Sequence, residues 1–201
     1  MSIEKNVKPP RVRRSPEASR ENILIAAEGL LVKQGPQSLR LADVAKAAGV
    51  ANATVLHHFG TIDGVQAALM EKMIGELVGM ILEMKVPDAP GEARAAALKR
   101  LFDAFENRGA ARLAAWLELT DESRRLRSVR EAVQSVVRMH ADRGDQGDMT
   151  ADQLEDAILV SVILAIGVGL FGSTLSDLLG KPQGRAREVA LGLLARGLNN
   201  T

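Results

Sequence analysis

Residues 39–59 read LRLADVAKAAGVANATVLHHF, and the spacing inside this stretch decides the fold. Leu41, Val44, Ala45 and Ala48 fall at i, i+3, i+4 and i+7, one apolar stripe on a helix of about two turns. Gly49 stops that helix, because the position after a C-cap is commonly left-handed and glycine takes that conformation without a Cβ penalty. Beyond the turn at Val50 and Ala51, Val55 and Phe59 are spaced i, i+4 and pack back on the first helix. Asn52, Ala53, Thr54, Leu56, His57 and His58 are then left facing outward. Two short helices crossing over a glycine turn make a helix-turn-helix, whose second helix can lie in the major groove of DNA.

On the N-terminal side, Ser15-Pro16-Glu17 opens a helix. Serine is the N-cap, proline the first helical residue, and glutamate sits near the positive helix end. Ile23, Ala26, Ala27, Leu30 and Leu31 form its buried stripe, and Gly35-Pro36 ends it. Taken together, residues 20–71 resemble the DNA-binding domain of TetR-family transcriptional regulators. The resemblance is carried by residues 23–31, Gly35, the runs 41–45 and 48–50, and the run 54–59.

Short polar groups near the start of the second helix suit DNA contact. Asn52 can read adenine in bidentate fashion, Ala53 or Leu56 can touch a thymine methyl, and Thr54 can bond a phosphate or base edge. By position, the resemblance implies that Asn52, Ala53 and Thr54 face the groove, that His57 and His58 contact phosphate or bases, and that Arg40 reaches a phosphate. Two positions depart from the family, which usually has tyrosine where Leu56 stands and lysine where Ile62 stands, both directed at phosphate. Each neutralised phosphate contributes about −0.9 to the slope of log affinity against log salt. The basic arm then has contacts to replace.

That arm is residues 1–15, MSIEKNVKPPRVRRS, where Lys5, Lys8, Arg11, Arg13 and Arg14 face Glu4 alone. Its composition predicts disorder, either as a solvated tail or as an arm that docks Arg13 and Arg14 on DNA. The chain's net charge of +1 hides an asymmetry: residues 1–60 hold nine Lys/Arg against five Asp/Glu, and residues 61–201 seventeen against twenty. The basic surplus lies where DNA contact is proposed. With 201 residues, zero cysteines and no apolar leader, the chain suits a small domain plus a larger one in the cytoplasm, without disulfides or thiolate metal sites.

The expected class is all-α: a disordered arm over 1–15, a three-helix DNA-binding domain over 16–61, and a helical effector-binding and dimerisation domain over 62–201. In the last, a long helix runs from Asp63 to about Lys85 with Leu69, Met73, Leu77, Met80, Ile81 and Met84 on one side. Residues 86–91, VPDAPG, break it. Helices follow at about 91–107, 110–119 and 122–143, and residues 143–147 end the last. Thr150 with Gln153 forms a capping box for the next, and a final helix spans about 185–198.

Residues 157–176, AILVSVILAIGVGLFGSTLS, hold no charge over twenty positions, enough to span a membrane. Three glycines, several hydroxyls and the flanking Asp156 and Asp177 favour instead a helix buried in the protein or between subunits. In the family the last two long helices pack on their copies as a four-helix bundle. By resemblance this assigns Ile158, Val162, Ile166, Gly169, Leu191 and Leu194 to a homodimer interface. The same stretch contains Gly167-Val168-Gly169-Leu170-Phe171-Gly172, a GxGxxG match, but a dinucleotide fold needs parallel strands that the chain does not offer.

No enzyme, metal or cofactor is expected. His57 and His58 are adjacent and diverge by about 100° on a helix, so they cannot chelate one ion. No nucleophile–base pairing is legible. Within the larger domain the resemblance implies a small-molecule pocket, with Phe102, Phe105, Trp116 and Met139 as candidate lining, or alternatively simple core. Few aromatics and many Met, Leu and Ala point to an apolar effector. The expected function is a ligand-responsive repressor that binds an inverted-repeat DNA operator as a dimer. The alternative is a helical small-molecule-binding or interaction protein with a vestigial helix-turn-helix, kept open by Leu56 and Ile62.

Overall fold

The computed structural model describes residues 15–83, 90–122, 127–142 and 150–197. The arm with Arg13 and Arg14, Met84 and Lys85, most of the 86–91 break and the 143–147 segment lie outside the described residues. Helix α1 (Pro16–Gln34) begins as expected, with Ser15 Oγ accepting the Ala18 N–H at 3.1 Å. A 3₁₀ turn (Pro36–Ser38) leads to α2 (Leu41–Ala48). Gly49 ends α2 at φ 67°, and the Val50 N–H returns to the Ala45 carbonyl at 3.0 Å. Helix α3 (Asn52–Phe59) follows.

Helix α4 (Ile62–Leu82) starts one residue before the expected Asp63, because the Thr61 hydroxyl caps the Gly64 N–H at 3.0 Å. Its stripe also differs from the expectation: Met80 points outward and is 41% exposed, whereas Leu69, Met73 and Leu77 are buried. After α5 (Pro90–Glu106) and α6 (Ala110–Leu119), the next helix begins later than position 122. There Asp121 takes a left-handed φ of 58°, and the Glu122 N–H closes back on the Leu117 carbonyl at 2.9 Å. Glu122 is thus spent terminating α6, and α7 runs over Arg127–Asp142. The Thr150–Gln153 capping box is formed in both directions at the head of α8 (Ala151–Leu178), and α9 (Arg185–Gly197) closes the described chain.

All regular structure among the described residues is helical, so Gly167–Gly172 is the middle of α8 and not a phosphate loop. Helices α1–α3 make a head, and α4 joins it to a body in which α8 packs on α5, α6, α7 and α9. One continuous core runs from Ile23, Val44 and Val55 in the head to Phe102, Leu113 and Leu117 in the body.

At the seam between head and body, Arg108, in the corner between α5 and α6, bonds Glu28 of α1 at 2.7 Å and Glu76 of α4 at 2.6 Å. Lys72 of α4 adds Glu21 at 3.4 Å and Glu28 at 3.8 Å. Burial pushes the Glu76 carboxyl up, but hydrogen bonds from Lys72 and Arg108 outweigh it and hold the group below its ordinary value. For Lys72 and Arg108 burial acts downward, and their bonds to the glutamates prevail, raising both.

Candidate nucleic-acid interface and body cavity

The α2 stripe is inward as the sequence predicts: Val44, Ala45 and Ala48 are buried and Leu41 half-buried. On α3 Val55 is fully buried, and Phe59 is half-buried under the Arg20 guanidinium, 5.0 Å from its ring centre. Two inward side chains one turn apart fix the rotation of an eight-residue helix, so its other face must be open. Asn52, Ala53, Leu56 and His57 are exposed there, Thr54 is half-exposed, and Arg40 stands exposed at the start of α2. Ala51 caps α3 without a side-chain bond, which leaves the first N–H groups of α3 for an acceptor from outside. His58 is the exception to the outward set: it is half-buried, its Nε2 3.1 Å from Ser19 Oγ of α1.

This is a helix-turn-helix with its second helix turned outward, and residues 23–69 match the family model described as bacterial regulatory proteins, tetR family. Over that segment the chain is similar to the tetR family of bacterial regulatory proteins. No curated protein sequence matches the chain. Three solved structures share the TetR-like fold over nearly all of it. One is a transcriptional regulator from Rhodococcus sp. Rha1, 20% identical, covering 92% of this chain and 97% of that one, with a TM-score of 0.60. The fatty acid degradation regulator FadR from Bacillus halodurans is 17% identical over 91% and 96%, with a TM-score of 0.63. A TetR transcriptional regulator from Streptomyces coelicolor is 21% identical over 90% and 97%, with a TM-score of 0.53. At such identities the likeness is one of fold.

Behind the helix-turn-helix head, the body holds a half-open cavity of about 580 Å³ between α4, α5, α6, α7 and α8. Of the four residues expected to line it, Phe105 does so. Phe102 is instead fully buried in the core, and Trp116 and Met139 are half-buried outside the lining. The sequence reading missed the aliphatic wall itself, which Met70, Ile74, Leu77 and Ile81 of α4 build at helical spacing, together with Arg94, Glu118 and Ser161.

The residues assigned to a dimer face contact the protomer's own body. Ile158, Val162 and Ile166 line the protomer's own cavity, Leu194 is buried, and Leu191 packs on the core. A Cβ on Gly169 would stand 2.7 Å from Ala111 Cβ and 2.9 Å from the Phe105 carbonyl, so this glycine seats α8 on α5 and α6. The apolar side left open is the opposite one: Leu159, Ile163, Phe171 and Leu175, each 52–59% exposed, with Val189 and Leu193 of α9. Helix α8 is long and apolar enough to cross a membrane by composition, yet its inner side holds small residues, Ala157, Ser161, Ala165, Gly172 and Ser176, packed against the body.

Proposed function

We propose that this chain is a transcriptional repressor that binds an inverted-repeat operator as a homodimer and is released by a small aliphatic effector. Residues 16–61 are the DNA-binding unit, and residues 62–201 bind effector and partner in the cytoplasm. The observation that carries the reading is the open face of α3, held outward by buried Val55 and half-buried Phe59. On a two-fold dimer two such helices must lie about 34–36 Å apart to enter successive major grooves.

The exposed stripe Leu159–Ile163–Phe171–Leu175, continued by Leu193, supports a second copy as its cover, since a monomer rarely leaves such a patch in water. The cavity supports the effector. Among the described residues Ser161 is its one uncharged polar lining residue, so a ligand rich in hydrogen-bonding groups would lose bonds to water without replacement. An aliphatic body loses none. Arg94 and Phe105, both in the lining and eleven positions apart on α5, mark a reach of about 16 Å at 1.5 Å per residue. Release requires that the effector bind the form unable to hold DNA more tightly than the form that holds it.

Selection of bound duplexes from a random pool tests the reading. Recovery of an inverted repeat is the expected result, and no enrichment over the starting pool overturns it in favour of a helical binding protein with a vestigial head.

A further inference from the structure

Ser161 is only 4% exposed, and it forms part of the wall that α8 gives to the cavity. A hydroxyl on a helix commonly turns back on a carbonyl three or four positions earlier. Ser135 of α7 does so with Ala132 at 2.6 Å, and Thr120 at the end of α6 does so with Trp116 at 2.9 Å. Ser161 makes no hydrogen bond of this or any other kind among the described residues. A buried hydroxyl on a cavity wall, with no partner from the protein, is a group for a ligand to bond.

Its place in the wall is specific. The other α8 residues in the lining are Leu154, Ala157, Ile158, Val162 and Ile166, all apolar. At 1.5 Å per residue Ser161 stands about 10 Å from Leu154 and about 8 Å from Ile166 along the helix. The lining from α4 and α7 is apolar throughout among the described residues. The charged lining residues meet water, since Arg94 is half-buried and Glu118 exposed. The cavity thus has one hydrogen-bonding group deep in its wall, with greasy surface to either side of it.

We propose that Ser161 is the specificity-determining residue of the cavity and selects an aliphatic chain with one oxygen, a carbonyl or a hydroxyl, inside the chain and not at its end. The inference rests on the cavity being the effector site.

The hydroxyl can donate one bond and accept others. Covered by a plain hydrocarbon it would be cut off from water without replacement, which penalises that ligand. An oxygen carried within the chain restores the bond, while the two alkyl arms cover the apolar wall on both sides of Ser161. An oxygen at the chain end reaches Ser161 only by leaving one of those sides uncovered. A carboxylate at the same depth would find one neutral donor for a full charge, too little to replace its hydration.

The test uses the full chain and two isomeric probes, dipentyl ketone and methyl nonyl ketone, with undecanoate as the charged probe of equal carbon count, read by isothermal titration calorimetry. The isomers bring the same carbons and the same carbonyl and differ in where the carbonyl sits. The expected result is that the wild type binds dipentyl ketone about fivefold more tightly than methyl nonyl ketone, as one net hydrogen bond implies, and binds undecanoate more weakly than either. Ser161→Ala should bind the two ketones alike. This variant should also melt no lower than the wild type, because it removes a buried hydroxyl that nothing in the protein bonds. Equal affinities in the wild type, a preference that survives in Ser161→Ala, a lowered melting temperature of that variant, or undecanoate as the tightest probe each overturns the proposal and leaves the effector site in place. Failure of all three probes to bind overturns the aliphatic-effector reading with it.

Discussion

The head and the body close their surfaces to different degrees. In the head, Ile23, Leu24, Val44 and Val55 shut a core whose outside is mostly polar or small, with Ile25, Val32 and Leu56 the large apolar exceptions among the described residues. The body leaves two apolar surfaces uncovered, one inside as the cavity and one outside as the α8–α9 stripe. A head of this kind is finished by its own sequence. On the proposed function the body is completed by an effector and a second copy, and its sequence is correspondingly less specific about which side of a helix faces what.

Three experiments press on that contrast. The largest effect is expected from Phe171→Glu, which places a charge in the middle of the exposed stripe. Burying an unpaired carboxylate in an apolar interface costs several kcal/mol, so gel filtration should show the proposed dimer falling to the 21.5 kDa chain while far-UV dichroism stays helical. A variant that stays dimeric would move the interface away from α8.

Next is Gly169→Ala on the opposite side of the same helix. The added methyl meets Ala111 and the Phe105 carbonyl, so α8 must shift outward, at about 1–3 kcal/mol of stability in chemical denaturation. An unchanged midpoint would mean that the seat of α8 is slack.

The smallest effect concerns the seam. Arg108→Gln removes the charge shared by Glu28 and Glu76 and should cost about 1 kcal/mol near neutral pH, less at high salt. Because the folded Glu76 carboxyl lies below its ordinary value of 4.5, its contribution is present above that value and is lost as pH falls through the folded one. Wild type and variant should therefore converge in acid, measured as melting temperature from pH 7 to pH 3. A gap that persists at pH 3 would show that Arg108 acts through packing alone.

The contrast also sets what could be read from residues alone. In the head, each signal has a local cause: the Ser15 cap, the Gly49 turn, and the one-turn spacing of Val55 and Phe59. All three stand in the structure as the sequence predicts. In α8 the apolar residues surround the helix, so periodicity gives a helix but no phase. Ile158, Val162 and Ile166 are as greasy as Leu159, Ile163 and Phe171. Size gives a partial clue, the small Ala157, Ser161, Ala165 and Gly172 being buried, although the large Ile158, Val162 and Ile166 face inward with them. Phe102, Trp116 and Met139 illustrate a different limit, since large apolar side chains suit a core as well as a cavity. The bonds from Arg108 to Glu28, eighty positions away, and from His58 to Ser19 had no sequence signal, because nothing local pairs them.

Helix α8 is a party wall. Ile158 and Val162 look into the cavity, and Leu159 and Ile163 look out through the exposed stripe, with a single helix about 10 Å thick between them. In the proposed dimer a bulky guest has a short mechanical route to the second copy: leaning on the partition tilts it, and the gap between the two proposed reading heads changes with it.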